Sequence, residues 1–400
     1  MQREALVELV ALCAVAGEHL LVLGPPGTAK SEAVRRIAQR LGGSYFEYLI
    51  GRFTEPTEIF GPIDLRRLRE GVVETETAGM LPEAELAFLD EIFLGSTAIL
   101  NTLLGVLNER TFRRGHTHVR CPLRVCVGAS NALPEEEQGG QLAAFADRFL
   151  VRTFVEPIAD SGLEELLSAG WTLGGAAAAG PASGATLEHI DLLAQTARAM
   201  DLSAVRGELA QAIRLLRGAG IELSDRRIVR LQRLVAAAAA LAGRRRPTSA
   251  DLWPIIYALP TQAAQRTGRE VLRELLAASH SSSLLAAAAE SSQGPLARGA
   301  RLQRDAAALL AAEPLATPTD GDAGAPAVSG DAGAPAASSD ARADARATWH
   351  LRLESMAREI DAAFALSSMP EELAAVRAEI VQHIRAGHAA TLASAPRVTS

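Results

Sequence analysis

With 400 residues, 48% of them hydrophobic, the chain can bury two modest cores, and its length favours two or three domains. Aromatic residues make up only 4%, so small-residue helix packing is expected rather than an aromatic-rich β sandwich, and a chain disordered or fibrous throughout is excluded. A net charge of -7 argues against a general phosphate-binding surface for nucleic acid. Cys13, Cys121 and Cys126 show no disulfide framework spacing and fit a reducing cytoplasm. The apolar stretch from Ala5 to Leu23 is broken by Glu8, Glu18 and His19, so no signal peptide is read, and no window reaches the roughly 18 apolar residues of a membrane span.

In chain order, residues 2–16 carry apolar positions at helical spacing, and 19–23 is a short strand-like run halted by Gly24-Pro25-Pro26-Gly27. Helical pattern resumes from Ser31 to about Leu41. Strand-like runs at 86–89, 123–128 and 149–154 then extend an α/β unit with a parallel sheet over 1–158. A connector rich in Gly, Ala, Ser and Pro follows at 159–185. Residues 186–262 read as a small all-α domain with helices near 187–200, 203–218 and 225–242, Ser224 capping the third and Ser249 a fourth. Residues 263–312 continue as helical extension. The stretch 313–345, in which GDAGAPA recurs at 321–327 and 330–336, reads as a disordered linker. A helical pair is expected over 346–386, with Leu353, Met356, Ile360 and Phe364 on one face and a turn at Pro370, followed by a tail at 387–400.

The run Gly24, Pro25, Pro26, Gly27, Thr28, Ala29, Lys30, Ser31 reads as the phosphate-binding loop G-x-x-x-x-G-K-[ST], set between a strand and a helix. Loop amides would curl around a β-phosphate at the positive end of the helix, Lys30 would reach the β and γ oxygens, and the Ser31 hydroxyl would take a Mg²⁺ site. Lys30 is the single lysine of the chain, at the position where a compact ammonium serves better than a planar guanidinium. The strand at 86–89 ends in Asp90 and Glu91. Asp90 would hold the magnesium shell through water, and Glu91 would polarise the water attacking the γ-phosphate. The expected cofactors are therefore ATP and Mg²⁺.

These residues together resemble the AAA+ ATPases. Arg52-Phe53-Thr54-Glu55-Pro56-Thr57-Glu58-Ile59-Phe60-Gly61-Pro62, the stretch from Glu70-Gly71-Val72 to Gly79-Met80-Leu81-Pro82-Glu83-Ala84, and the run 99–110 narrow the resemblance to the MoxR family, closest to its RavA-like branch, over roughly 5–260. The resemblance implies an α/β P-loop core, an insert hairpin at 70–84, a small all-α lid, and a largely helical or disordered C-terminal extension. It also implies that Asn131 is sensor 1, orienting the attacking water, and that Arg148 is an arginine finger completing the site of an adjacent subunit. Arg226, in Ser224-Asp225-Arg226-Arg227, would be sensor 2 and reach back to the γ-phosphate, with Arg227 as the one-residue-slip alternative.

A homo-oligomeric, hexameric ring is implied, as is a cytoplasmic enzyme that remodels or matures a client protein with a partner bearing a von Willebrand factor A domain. Shifting of the lid against the core would drive that work. The family carries more chain before the first helix, so phosphate binding is read more firmly than base selectivity, and no equivalent of the large appended domain of the RavA branch is seen. Two other readings stay open: a nucleotide-gated scaffold with negligible turnover, and the motor subunit of a magnesium-chelatase-like complex. His116-x-His118 with Cys121 and Cys126 reads as hairpin alternation rather than a metal cluster, and Arg244-Arg245-Arg246 as a solvated helix end.

Overall fold

Helix α1 (Glu4–Ala16) leads into β1 (Leu20–Leu23), whose four side chains are all buried. The computed structural model describes residues 4–28, 30–134, 140–156, 167, 185–292, 295–314, 339–364 and 369–394. Almost all of the connector expected at 159–185 and most of the linker expected at 313–345 lie outside these residues, as does the tail beyond 394. The chain divides into two compact units, Met1–Ala297 and Arg298–Ser400.

In the first unit β1 joins β2 (Tyr45–Leu49), β3 (Leu86–Asp90), β6 (Val125–Ser130) and β7 (Val151–Phe154) in a five-stranded parallel sheet of order β2-β3-β6-β1-β7. Strands covered on both faces need apolar side chains on both, which is why β1, β3 and β6 read as unbroken apolar runs. Alternation along them divides the core. Leu20, Val22, Phe88 and Val127 join α1 and α2 (Lys30–Leu41) on one face. Leu21, Leu23, Leu89 and Cys126 join α3 (Pro56–Phe60), α5 (Thr97–Leu104) and α6 (Gly140–Ala146) on the other.

Strand β2 went unread in the sequence because it is an edge strand that buries only Phe46, so its pattern is not apolar. In the segment expected to form a hairpin at 70–84, only a short antiparallel pairing is present. The Asp64 amide donates to the Glu74 carbonyl at 2.8 Å and that of Glu76 to Pro62 at 2.9 Å, beside the short helix α4 (Leu65–Arg69). The regular ribbon is instead β4 (Thr111–Arg114) with β5 (Thr117–Arg120).

The lid consists of α7 (Leu187–Arg198), α8 (Ser203–Gly218) and α9 (Asp225–Leu241), with the Ser224 hydroxyl capping α9 by accepting from the Arg227 amide at 3.3 Å. The fourth helix is a correction. It is replaced by 3₁₀ turns at Ser249–Asp251 and Trp253–Ala258, and Thr248, bonded reciprocally to Asp251, takes the cap expected of Ser249. Pro254 lacks an amide donor, and every side chain from Trp253 to Ala258 is buried, so no solvent face is available to a longer amphipathic helix. Lid residues Leu231, Leu234 and Val235 share one continuous core with α1, and α10 (Gln262–Val271) and α11 (Leu285–Ser292) complete the unit.

In the second unit the later part of α12 (Pro295–Ala311) packs with α13 (Ser339–Ala363) and α14 (Glu371–Ser394). Leu302, Ala306, Trp349, Leu353, Ile360, Phe364, Leu373 and Ile380 form its core, and the Trp349 indole donates to the Leu309 carbonyl at 2.7 Å. Among the described residues no helix is long and apolar enough to cross a membrane.

Candidate functional site

Because β3, β6 and β1 are parallel neighbours, their C-terminal ends line one edge of the sheet. Adjacent strands lie about 4.8 Å apart, so whatever follows these three strands gathers within roughly 10 Å. Loop 24–29 follows β1, Asn131 follows β6, and Glu91 follows β3. Strand order thus sets the loop leading to Lys30, Asn131 and the acidic pair Asp90 and Glu91 along one edge of the sheet, with Asn131 on the middle strand of the three.

The loop leaves β1 through Gly24, whose amide donates to the Ser130 carbonyl at 3.1 Å. A Cβ at Gly24 would stand 2.1 Å from the Val155 carbonyl oxygen, so only glycine lets the chain pass so close to the end of β7. The Thr28 hydroxyl donates to the Pro25 carbonyl at 3.0 Å. Lys30 opens α2 and is 8% exposed; its ammonium donates to the carbonyls of Gly24 (2.8 Å) and Pro25 (3.1 Å). Ser31 lies in the first turn of α2. Ala29 falls outside the described residues, and it stands where the motif has its second glycine, so the run departs from G-x-x-x-x-G-K-[ST] at that one position. An ammonium held only by neutral carbonyls, a hydroxyl at a helix start and an Asp at the next strand but one form a donor set that fits a triphosphate with Mg²⁺.

Asp90 turns one carboxylate oxygen to the Glu91 amide at 3.0 Å. Glu91 itself adopts a left-handed conformation, φ 50° and ψ 43°, which costs a non-glycine residue about 1–2 kcal/mol. The turn ends β3 so that the Glu91 carboxylate accepts from the Asn131 amide nitrogen at 2.8 Å.

Arg148 and Arg226 lie elsewhere. Arg148 precedes β7 and so stands at the N-terminal edge of the sheet; its Nε is buried with no hydrogen-bond partner among the described residues, and its carbonyl accepts from Arg230 at 3.4 Å. Arg226 donates to the Asn108 side chain at 2.6 Å. Asn108 belongs to a π-helical turn, Gly105–Glu109, which lies against the start of β1, where His19 Nε2 donates to the Leu107 carbonyl at 2.8 Å and Arg110 to Gly17 at 3.1 Å. The length of β1, roughly 10 Å, separates that place from the loop. The reach of Arg226 to the γ-phosphate of its own chain is thus corrected. Arg227, 3% exposed, is no substitute: its guanidinium donates to Asp147 Oδ1 (2.8 Å) and to the carbonyls of Leu150 (2.8 Å) and Ala258 (2.9 Å), stapling lid to core.

The same edge holds residues that sequence reasoning missed. Glu18 is fully buried and accepts from Arg230 at 3.0 Å and Arg233 at 3.2 Å, burial raising its pKa despite both cations. His19 accepts from the Cys126 amide at Nδ1 (3.0 Å); burial first and the Arg110 charge second press its pKa well below the usual 6.5. Burial lowers Arg110 to about 10. Partners here lie many tens of residues apart in the chain and form no local motif.

Residues 1–195 match the family described as the MoxR domain in the MoxR-vWA-beta-propeller ternary systems. Two uncharacterized proteins of Methanocaldococcus jannaschii are each 35% identical over 254 residues, covering 63% of this chain and 66% and 64% of theirs. The match thus spans just under two thirds of the length of those relatives. A structural protein of the Acidianus two-tailed virus is 30% identical over 151 residues, 36% of this chain and 24% of that one. The crystal structure of a candidate ATPase from Cytophaga hutchinsonii superposes with a TM-score of 0.55 at 15% identity, covering 69% of this chain and 89% of that one, a likeness of fold alone. Over residues 1–195 the chain is thus similar to the MoxR domain family, on an α/β fold with a helical lid that it shares with the candidate ATPase.

Proposed function

We propose that the chain is a Mg²⁺-dependent ATPase of the MoxR type, nearest the RavA-like branch, which forms a ring and remodels or matures a client protein in the cytoplasm. The observation that carries this reading is the Asn131 to Glu91 hydrogen bond, 2.8 Å long, beside the loop that holds Lys30. Lys30 exchanges two neutral carbonyls for phosphate oxygens, so the loop needs little rearrangement to receive a triphosphate. Glu91 polarises the attacking water, and Asn131 fixes the position of that carboxylate. Mg²⁺, held by Ser31 and, through water, by Asp90, would neutralise charge on the phosphate oxygens.

Arg148 stands at the edge of the sheet opposite its own loop, which favours a finger acting on a neighbouring subunit; Arg226 shares that edge. An interface in which one face meets a different face of the next copy closes into a ring, and the family implies six subunits. Since Arg227 and the Glu18–Arg230 pair fasten the lid to its own core, we read the working motion as one between subunits rather than within one. The family's description, with its von Willebrand factor A and β-propeller components, supports a partner of the first kind.

Steady-state hydrolysis by the wild type, Lys30→Ala and Glu91→Gln, with and without Mg²⁺, tests the reading. A Mg²⁺-dependent rate that both variants lose supports it. Equal residual rates in wild type and Glu91→Gln would instead favour the non-hydrolysing scaffold.

A further inference from the structure

A cleft of about 580 Å³ opens at the N-terminal edge of the sheet, between the start of β1, the β5–β6 connection and lid helices α7 and α9. That volume falls within the roughly 300–1,000 Å³ of small-molecule sites. Its charged lining is lopsided. Arg110, Arg120, Arg124, Arg198, Arg230 and Arg233 line it, and Asp191 is the one carboxylate among the lining residues. Behind the wall, Glu18 is shared by Arg230 and Arg233, while Arg124 is matched by Glu85 and Asp191 at 2.7 Å each. Among the described residues, the carboxylates paired with these six arginines are Glu18, Glu85 and Asp191, and Arg120 and Arg198 are exposed.

Arg110 is the sharpest observation. Its guanidinium is directed into the protein, where it donates to the carbonyls of Gly17 (3.1 Å), Arg124 (3.4 Å) and Leu107, all neutral acceptors. Glu18, an acid whose charge it feels, is already bonded to two other arginines. A desolvated cation without its own counter-ion is costly, and an anion arriving in the cleft relieves that cost. Among the described residues no aromatic side chain lines the cleft, which leaves no described platform on which a base could stack. Guanidinium forks favour phosphate oxygens in particular.

We propose that this cleft is a second anion site, distinct from the phosphate loop, which takes a small molecule through its multivalent phosphate group. Arg120, Arg198 and Arg233, all exposed, make the contacts, while Arg110 and Arg230, held by their own partners, lend positive charge from the inner wall. The proposal does not depend on ATP binding at Lys30, so its failure and that of the ATPase reading can be told apart.

The test is calorimetric titration of inorganic tripolyphosphate into full-length Lys30→Ala, in which neither a subunit's own loop nor a neighbour's can supply the binding. Saturable binding is expected, weakening as salt is raised. Adding Arg120→Glu or Arg198→Glu, both exposed and tolerable to folding, should weaken it about tenfold each, the loss of one charge-assisted contact. Unchanged melting of these variants would confirm that they fold. ATP titrated in the same background should bind no better than tripolyphosphate, because the base adds nothing; much tighter ATP binding would overturn a site that reads phosphate alone. Absence of tripolyphosphate binding in Lys30→Ala, or binding that neither charge reversal alters, overturns the proposal. So does saturation by an acidic peptide such as oligoglutamate where tripolyphosphate fails, which would assign the cleft to a protein partner.

Discussion

At the C-terminal edge of the sheet the ammonium of Lys30 rests on two neutral carbonyls, whereas at the N-terminal edge Arg227 and Arg230 are locked to Asp147 and Glu18. Neutral carbonyls give up a cation readily to a phosphate. Buried ion pairs do not let go without leaving an uncompensated charge. The first edge is built to exchange partners and the second to hold a shape. Arg148 sits on the second edge, so under the proposed ATPase reading its finger would serve the loop of a neighbouring copy, and a complete site would take two chains.

The comparison can be broken most severely at Arg148. If the finger serves a neighbour, Arg148→Ala should lower ATP turnover by about 10³–10⁵. Mixing it with Lys30→Ala should then restore part of the rate, because some interfaces unite an intact loop with an intact finger; a mixture as inactive as its parents would show that both groups act within one chain. Next comes Glu91→Gln, for which a loss of about 10²–10⁴ in the hydrolysis rate is expected with nucleotide affinity preserved, as read by single-turnover and equilibrium-binding assays.

Stability sharpens the contrast from the other side. Arg227→Ala deprives Asp147 and two carbonyls of their partner in the seam and should destabilise the first unit by about 3 kcal/mol in denaturant melts, whereas Asn131→Ala, at the exposed edge, should change stability by less than about 0.5 kcal/mol. An effect smaller than that of Arg227→Ala belongs to His19. Its folded pKa is depressed, so the unfolded chain takes up a proton below pH 6.5 that the native state refuses. Stability from this group is complete above that pH and falls as pH drops below it, by about 1 kcal/mol over the first unit. Glu18, with a raised folded pKa, works in the opposite sense at lower pH, its protonation favouring the native state. His19→Gln should flatten the melting temperature between pH 6.5 and 5.5, and a slope unchanged by that substitution would place the titration elsewhere.

Much of the site was legible because its chemistry is written in contiguous residues. Leu20 to Ser31 encode a strand, a tight loop and a helix start in succession, and Asp90 and Glu91 close an apolar run that needs burial on both faces. Asn131 could be assigned only through family resemblance, because a lone Asn before a proline has many uses. The contact between Asn131 and Glu91 follows from β6 lying beside β3, which alternation of apolar residues does not specify. Strand β2 and the 3₁₀ turns after Ser249 escaped notice for a related reason. An edge position and burial on every side each erase the periodicity that sequence reading depends on.

The sequence by itself determined the phosphate loop, the acidic strand end and the lid helices, since each is specified by residues within a few positions of one another and by local backbone chemistry. Only the tertiary structure decided that Arg226 meets Asn108, that Arg227 is a staple, and that Glu18, Arg110 and Arg230 share one edge. Those contacts join residues far apart in the chain, and their sense depends on the strand order and on where the lid packs, quantities fixed by the burial of whole faces rather than by any short run of residues.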